Sequence, residues 1–206
     1  MGREERIQIR IYESTLAKTE LAYNVKSITD VVDIIVESYK KKGKLVLFGN
    51  GGSAAQASHI AAEFSIRYEM DRPPLEAIAL NSDISVITAA GNDFKYENVF
   101  EKQVEGCVKK NDVVIGLTTS GNSLNVLKGL KKAKKMGATS IAMTGRKRLY
   151  NGNGKLTENR RRALELRTAD YIIPVPSERT SVIQEAHIMI GHIICGEVEE
   201  KLFEEN

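Results

Sequence analysis

Apolar positions recur along the chain at two different periods. Over the first forty residues they fall at helical spacing, Ile7, Ile11, Leu16, Leu21 and Val25 in one run, then Ile28, Val31, Val32, Ile35, Val36 and Tyr39 in the next. This predicts two helices, with Ser27 as the cap of the second. Five short apolar runs follow, at residues 44–48, 75–80, 112–117, 140–144 and 171–175, alternating with helical stretches at 54–68, 84–90, 97–109, 124–135 and 181–200. Strands separated by helices imply an α/β domain whose parallel sheet is covered on both faces. Ligands of such open sheets bind beyond the carboxyl ends of the strands, where the loops at 50–53, Asn92-Asp93 and 118–123 are expected to emerge together.

The 206 residues suffice for one well-buried domain, taken here as 1–206, with residues 1–42 forming an N-terminal helical pair for packing between copies. The apolar runs are far shorter than a membrane span of ~20 residues, and the charged start Met1-Gly-Arg-Glu-Glu-Arg6 has no apolar region behind it. A cytoplasmic protein with no membrane partner is the expectation. Two cysteines cannot make a disulfide framework, and Cys195, three residues after His192, reads as a small buried hydrophobe. The net charge of +3 is unevenly placed. Residues 146–167 carry eight Lys/Arg against Glu158 and Glu165, so the remaining chain is net −3. The chain therefore lacks a generally basic surface for nucleic acid, and the basic insertion is expected to be a solvated, disordered loop.

Candidate chemistry is concentrated in two turns. After the first apolar run comes Asn50-Gly51-Gly52-Ser53, then a helical stretch bearing His59 and Glu63. The glycines allow a sharp turn, Ser53 can cap the helix, and the first free amides face whatever anion lies in the crevice. His59 and Glu63, four apart, share one helix face and could hold a metal ion or act as an acid/base pair. After the third run, Thr118-Thr119-Ser120-Gly121-Asn122-Ser123 offers four hydroxyls, a glycine and a second helix start, a donor set suited to a phosphate dianion without a buried lysine. Neither turn fits the P-loop or dinucleotide fingerprints.

With strand–GNGGSAA–helix, strand–TTSGNS–helix and the ending Ile183-Gln184-Glu185-Ala186-His187-Ile188-Met189-Ile190-Gly191-His192, the chain resembles the sugar isomerase (SIS) domain family, and within it the phosphoheptose isomerases. The resemblance runs from about residue 28 to 202, interrupted by the basic segment. It implies a five-stranded, flavodoxin-like parallel sheet with a long C-terminal helix, a homotetramer, and conversion of sedoheptulose 7-phosphate to D-glycero-D-manno-heptose 7-phosphate through an enediol. Carried over position by position, it implies one zinc ion per subunit on His59, Glu63, Gln184 and His192. It also implies substrate contacts from Asn50, Gly51, Gly52, Ser53, Glu63, Asn92, Asp93, Thr118, Thr119, Ser120, Ser123 and Gln184. Thr118 stands where the family usually has serine, and Val182 where an arginine is common.

Moving a proton between neighbouring carbons needs a base and an acid, for which Glu63 and His192 are the candidates. Gln184 and His192 are eight residues apart, ~12 Å along a helix, so both reach one ion only at full stretch or from different copies of the helix. A subunit boundary near the site is therefore expected. His187 reads as packed rather than ligating. The rivals are a non-catalytic SIS protein that binds a partner such as a replication initiator, and a sugar-phosphate sensor. The first would have lost Glu63 and His192, and the second would add a DNA-binding domain.

Overall fold

A computed structural model of the chain describes residues 1–23, 25–145 and 169–204. The basic segment 146–167 lies outside the described residues. In chain order the elements are α1 (Arg3–Ala22), α2 (Lys26–Lys40), β1 (Leu45–Gly49), α3 (Gly52–Ser65), β2 (Ala77–Ala79), α4 (Ile84–Phe94), a 3-10 turn (Tyr96–Asn98), α5 (Val99–Cys107), β3 (Val113–Thr118), α6 (Leu124–Lys135), β4 (Thr139–Gly145), β5 (Tyr171–Val175) and α7 (Thr180–Phe203). All strand pairs are parallel and the order is β2-β1-β3-β4-β5. That is the flavodoxin-like order, whose direction of winding reverses between β1 and β3 and opens a crevice there.

The strands are apolar throughout because both faces of the sheet are covered. Leu45 and Leu47 of β1 join Val113, Ile115 and Leu117 of β3 in a core with α2, α3 and α7. Their alternate neighbours Val46, Phe48 and Val114 enter a second core with α5 and α6, where the Phe48 and Phe100 rings stack with centroids 4.7 Å apart. This is period-two alternation between two interiors. At the amino end of the sheet, buried Asp112 accepts from the Lys44 and Lys109 amides and pairs with Lys44 Nζ at 2.6 Å, which ties the start of β1 to the start of β3.

All five strands fall on the five apolar runs. The helices differ in detail. Val25, not Ser27, occupies the cap position of α2, so Ser27 lies inside its first turn. The stretch expected as one helix at 97–109 is a 3-10 turn followed by the shorter α5. In α1 the buried residues are Ser14, Ala17 and Leu21, whereas Ile7, Ile11 and Leu16 are 52%, 60% and 60% exposed. The helix lies against α7 along Ser14, Ala17 and Leu21, and leaves Ile7, Ile11 and Leu16 outside the chain's own core. Cys195 is buried as expected, and burial pushes its thiol upward.

His187 is also buried as expected, in the middle of α7, and neither ring nitrogen has a hydrogen-bond partner. Burial drives its pKa down from 6.5 to about 4, opposed only weakly by the Thr144 main chain. The unfolded chain thus binds a proton in a range where the native state does not. The stabilisation is complete above pH 6.5 and is lost as the pH falls toward 4. Urea unfolding at pH 7 and pH 5 should show wild type losing about 2 kcal/mol more than His187→Leu between the two pH values. Equal losses in the two proteins would contradict the assignment.

Candidate active site

Strand β1 ends in a turn whose two glycines serve different needs. Gly51 occupies the cap position of α3 at φ 56°, a left-handed backbone that a side chain resists. A Cβ on Gly52 would meet the side-chain amide of Gln184, which lies against the start of α3. Ser53 is not the cap. It lies in the first turn of α3, buried, with its amide donating to the Asn50 carbonyl at 3.0 Å.

The second turn ends β3. Thr118 is buried and its hydroxyl donates to Ser123 Oγ at 3.1 Å. Gly121, at φ 66°, reverses the chain with its amide on the Thr118 carbonyl, and the Asn122 amide donates to Ser120 Oγ at 3.1 Å. Thr119, Ser120 and Ser123 are half-buried beside the first amides of the twelve-residue α6. Ser123 stands at its cap position without a side-chain cap bond, so this is a donor-rich helix start.

The two turns are joined by a pair of amides. Asn50 Nδ2 donates to Asn125 Oδ1 and Asn125 Nδ2 donates back to Asn50 Oδ1, both at 2.9 Å, and the Tyr96 hydroxyl donates to Asn50 Oδ1 at 3.0 Å. Asn125 is buried and its Oδ1 also accepts from the Val126 amide. Neither Asn125 nor Tyr96 was a sequence candidate. Their signals were only an asparagine at a helix start and a tyrosine near Asn92. Asn92 and Asp93 themselves are exposed in the last turn of α4, not in a strand loop, with Asn92 Nδ2 donating to Asp93 Oδ1. They lie three and four residues before Tyr96.

His59 Nε2 lies 2.9 Å from His192 Nε2 and 3.1 Å from Glu63 Oε1. One ligand atom from each of the three residues falls within 4.8 Å of the others, all in one chain. Two donors each ~2 Å from a tetrahedral ion stand roughly 3.3 Å apart, so these nitrogen and oxygen atoms fit a small divalent cation. Gln184 lies nearer the start of α3. Its amide lies against Gly52, seven residues and ~10 Å along α3 from His59, although it lines the same cleft as His59. That cleft and a larger one of about 590 Å³ lined by Tyr68 and His192 share Glu185 and Ile188, so the three-residue group opens onto a groove along α7. The His59 side chain is 48% exposed.

Three further residues frame this group. Helix α3 stops at Ser65, short of the expected 68, which leaves Tyr68 in a loop with its ring stacked on His192 at 5.3 Å between centroids and 15° between planes. Buried Glu199 accepts from the Tyr68, Glu69 and Met70 amides and from Arg72 Nε. Arg72 in turn donates to the Glu63, Phe64 and Pro73 carbonyls. Burial alone would raise the Glu199 carboxyl, but the three amides and the guanidinium outweigh it and hold it below its ordinary value. Val182, at the family's arginine position, is buried.

A doubly wound sheet with two hydroxyl- and amide-lined helix starts at its switch point, and a His–Glu–His group on the helices above, defines an α/β domain built for a small phosphorylated ligand. The chain belongs to the SIS domain family, which matches residues 13–145. It is 50% identical over 192 residues to a phosphoheptose isomerase of Aquifex aeolicus, covering 93% of this chain and 92% of the relative. A phosphoheptose isomerase of Thermodesulfovibrio yellowstonii is 45% identical over 98% of this chain and 94% of its own. Among solved structures, that of the phosphoheptose isomerase from Neisseria gonorrhoeae matches with a TM-score of 0.82 at 34% identity, covering 97% of this chain and all of the other. Among the described residues, no helix is long and apolar enough to cross a membrane.

The paired amides can be tested directly. Asn125→Ala takes the partner from Asn50 Nδ2 and leaves Asn50 Oδ1 with Tyr96 alone, and should lower the free energy of unfolding by about 1–3 kcal/mol in urea titration. A change below a few tenths would mean that the two turns hold their shape without it.

Proposed function

We propose that the protein is an aldose–ketose isomerase converting sedoheptulose 7-phosphate to D-glycero-D-manno-heptose 7-phosphate, the first step of ADP-heptose biosynthesis. The observation that carries this is the meeting of Glu63 and His192 across the α3–α7 contact, in a chain 50% identical to a phosphoheptose isomerase. The phosphate rests against Thr119, Ser120 and Ser123 at the start of α6, with Thr118 and Asn125 shaping the turn and Asn50, Gly51, Gly52, Ser53, Asn92 and Asp93 lining the way. Gln184 bridges the two ends of the groove. His59 and Glu63 stand about two and three turns along α3 from the Asn50–Ser53 turn, so a grip on the phosphate at the start of α6 fixes which carbons reach them.

Glu63 removes a proton from C1 of the ketose and returns it to C2. His192 gives a proton to the C2 oxygen as the carbonyl becomes an enediol, and takes the proton of the C1 hydroxyl back as the aldehyde forms. His59, Glu63 and His192 would hold one zinc ion, with Gln184 as a fourth donor after rotation of its side chain, in a loose, exchangeable coordination that frees Glu63 and His192 to move protons. When bound, the ion supplies a Lewis acid for the carbonyl oxygen. A partner-binding SIS protein without activity has no need of Glu63 and His192 in contact.

We assign a homotetramer and a cytoplasmic location as well. The exposed apolar residues Ile7, Ile11 and Leu16 on α1 support burial against further copies.

Purified protein should isomerise sedoheptulose 7-phosphate and lose that activity on treatment with a chelator. Glu63→Gln should lower kcat by about 10²–10⁴-fold with little change in fold. Intact protein that turns over no ketose phosphate with zinc present would overturn the proposal. Sedimentation should report four chains, and Ile11→Asp with Leu16→Asp should shift the population to smaller species. A monomeric wild type would refute the assembly.

A further inference from the structure

The buried Arg72–Glu199 pair lies away from the substrate groove, yet it touches every element that carries the reacting groups. Glu199 is seven residues, two turns of α7, beyond His192. Its two carboxylate oxygens gather three successive amides, Tyr68 at 2.8 Å, Glu69 at 3.0 Å and Met70 at 3.1 Å, together with Arg72 Nε at 2.7 Å. The Arg72 guanidinium reaches the other way. Nη2 donates to the Glu63 carbonyl at 2.9 Å and Nη1 to the Phe64 carbonyl at 3.0 Å, so it caps the open end of α3 at the residue whose carboxylate is proposed as the base. Both side chains are 1% exposed.

A buried ion pair is weak evidence for stability, because apolar residues of the same size could fill the space at no loss. What apolar residues could not do is bind six main-chain groups at fixed distances, the Tyr68, Glu69 and Met70 amides and the Glu63, Phe64 and Pro73 carbonyls. The pair fixes three positions at once: the last turn of α3 under Glu63, the loop that carries Tyr68, and α7 below His192. Tyr68 is the visible product of that fixation. A residue just past the end of a helix is brought back so that its ring lies nearly parallel to the His192 imidazole.

We propose that Arg72 and Glu199 are positioning residues for the isomerisation, acting through the Glu63 main chain and through Tyr68, whose stacked ring sets the orientation of His192. This rests on the assignment of Glu63 and His192 as base and acid. The phosphate cradle is built from other elements, so loss of the pair acts on turnover and not on substrate capture.

Three variants separate the roles: Glu199→Gln weakens the gathering of amides, Tyr68→Ala removes the ring and leaves the pair intact, and Tyr68→Phe keeps the stack. With sedoheptulose 7-phosphate, Tyr68→Ala and Glu199→Gln should lower kcat by about ten- to a hundredfold while KM moves by less than about threefold, and Tyr68→Phe should stay near wild type. Imidazole ¹⁵N–¹H correlation spectra of the metal-free proteins supply a readout independent of turnover. The His192 resonances should move in Tyr68→Ala and in Glu199→Gln and hold in Tyr68→Phe. If Glu199→Gln fails to fold, the Tyr68 pair decides alone. An unchanged kcat with unmoved His192 resonances in Tyr68→Ala, or a KM that rises while kcat holds, would overturn the positioning role. A wild type inactive toward the ketose phosphate, with the resonance shifts present, would instead sink the assignment of the reaction and leave the positioning of His192 standing.

Discussion

How closely α3 and α7 approach decides whether there is a site at all, and that distance is set where Gly191 faces Ile60. A Cβ at residue 191 would overlap the Ile60 side chain, which is itself buried. His59 precedes Ile60 and His192 follows Gly191, so this close contact between the helices lies one residue from each imidazole. Close packing leaves little room for adjustment. The 2.9 Å between the two ring nitrogens is thus a consequence of an apolar contact beneath them.

The polar interior supports this from two ends. At the amino end of the sheet the Lys44–Asp112 pair aligns β1 with β3, and the turns that follow those strands are joined by the Asn50–Asn125 amides. The carboxyl end of α3 is fixed to α7 by Arg72 and Glu199. In each case the charged or amide groups satisfy main-chain donors or acceptors that a loop or a helix end leaves open. Their stabilising energy is uncertain in sign for ion pairs in general. Their geometric effect is clear, since each polar tie spans elements that carry a turn or a side chain of the site.

Much of this was legible in the sequence. Continuous runs of Leu, Val, Ile and Phe mark strands buried on both faces, and all five were placed. The order of strands followed from the resemblance, not from periodicity. His59 and Glu63 could be read as neighbours because four residues make about one helical turn. Their meeting with His192 within one chain could not, because it depends on a helix contact 130 residues apart in sequence. For the same reason Arg72, Glu199 and Asn125 went unread: a charged or amide side chain announces neither burial nor partner. Ser53 and Ser27 show the opposite error. A serine near a helix start is a good cap in isolation, but Gly51 at positive φ and Val25 took those positions once the chain path was fixed. The apolar positions of α1 were read as one helix face, but only Leu21 of them enters the chain's own core, while Ile7, Ile11 and Leu16 stay exposed.

Those exposed residues and the His59 exposure bear on one another. An enediolate survives only where water is kept away and where fixed donors replace it. In the single chain His59 is 48% exposed, and the groove along α7 is open beside Tyr68 and Ile193. Lys18 of α1 lines that groove, and the exposed Ile7, Ile11 and Leu16 lie on the same helix. The surface that an assembly would bury therefore borders the surface that the chemistry needs covered. Oligomerisation and catalysis in the proposed enzyme place the same demand on α1, to bring apolar cover to a site that one chain leaves half open.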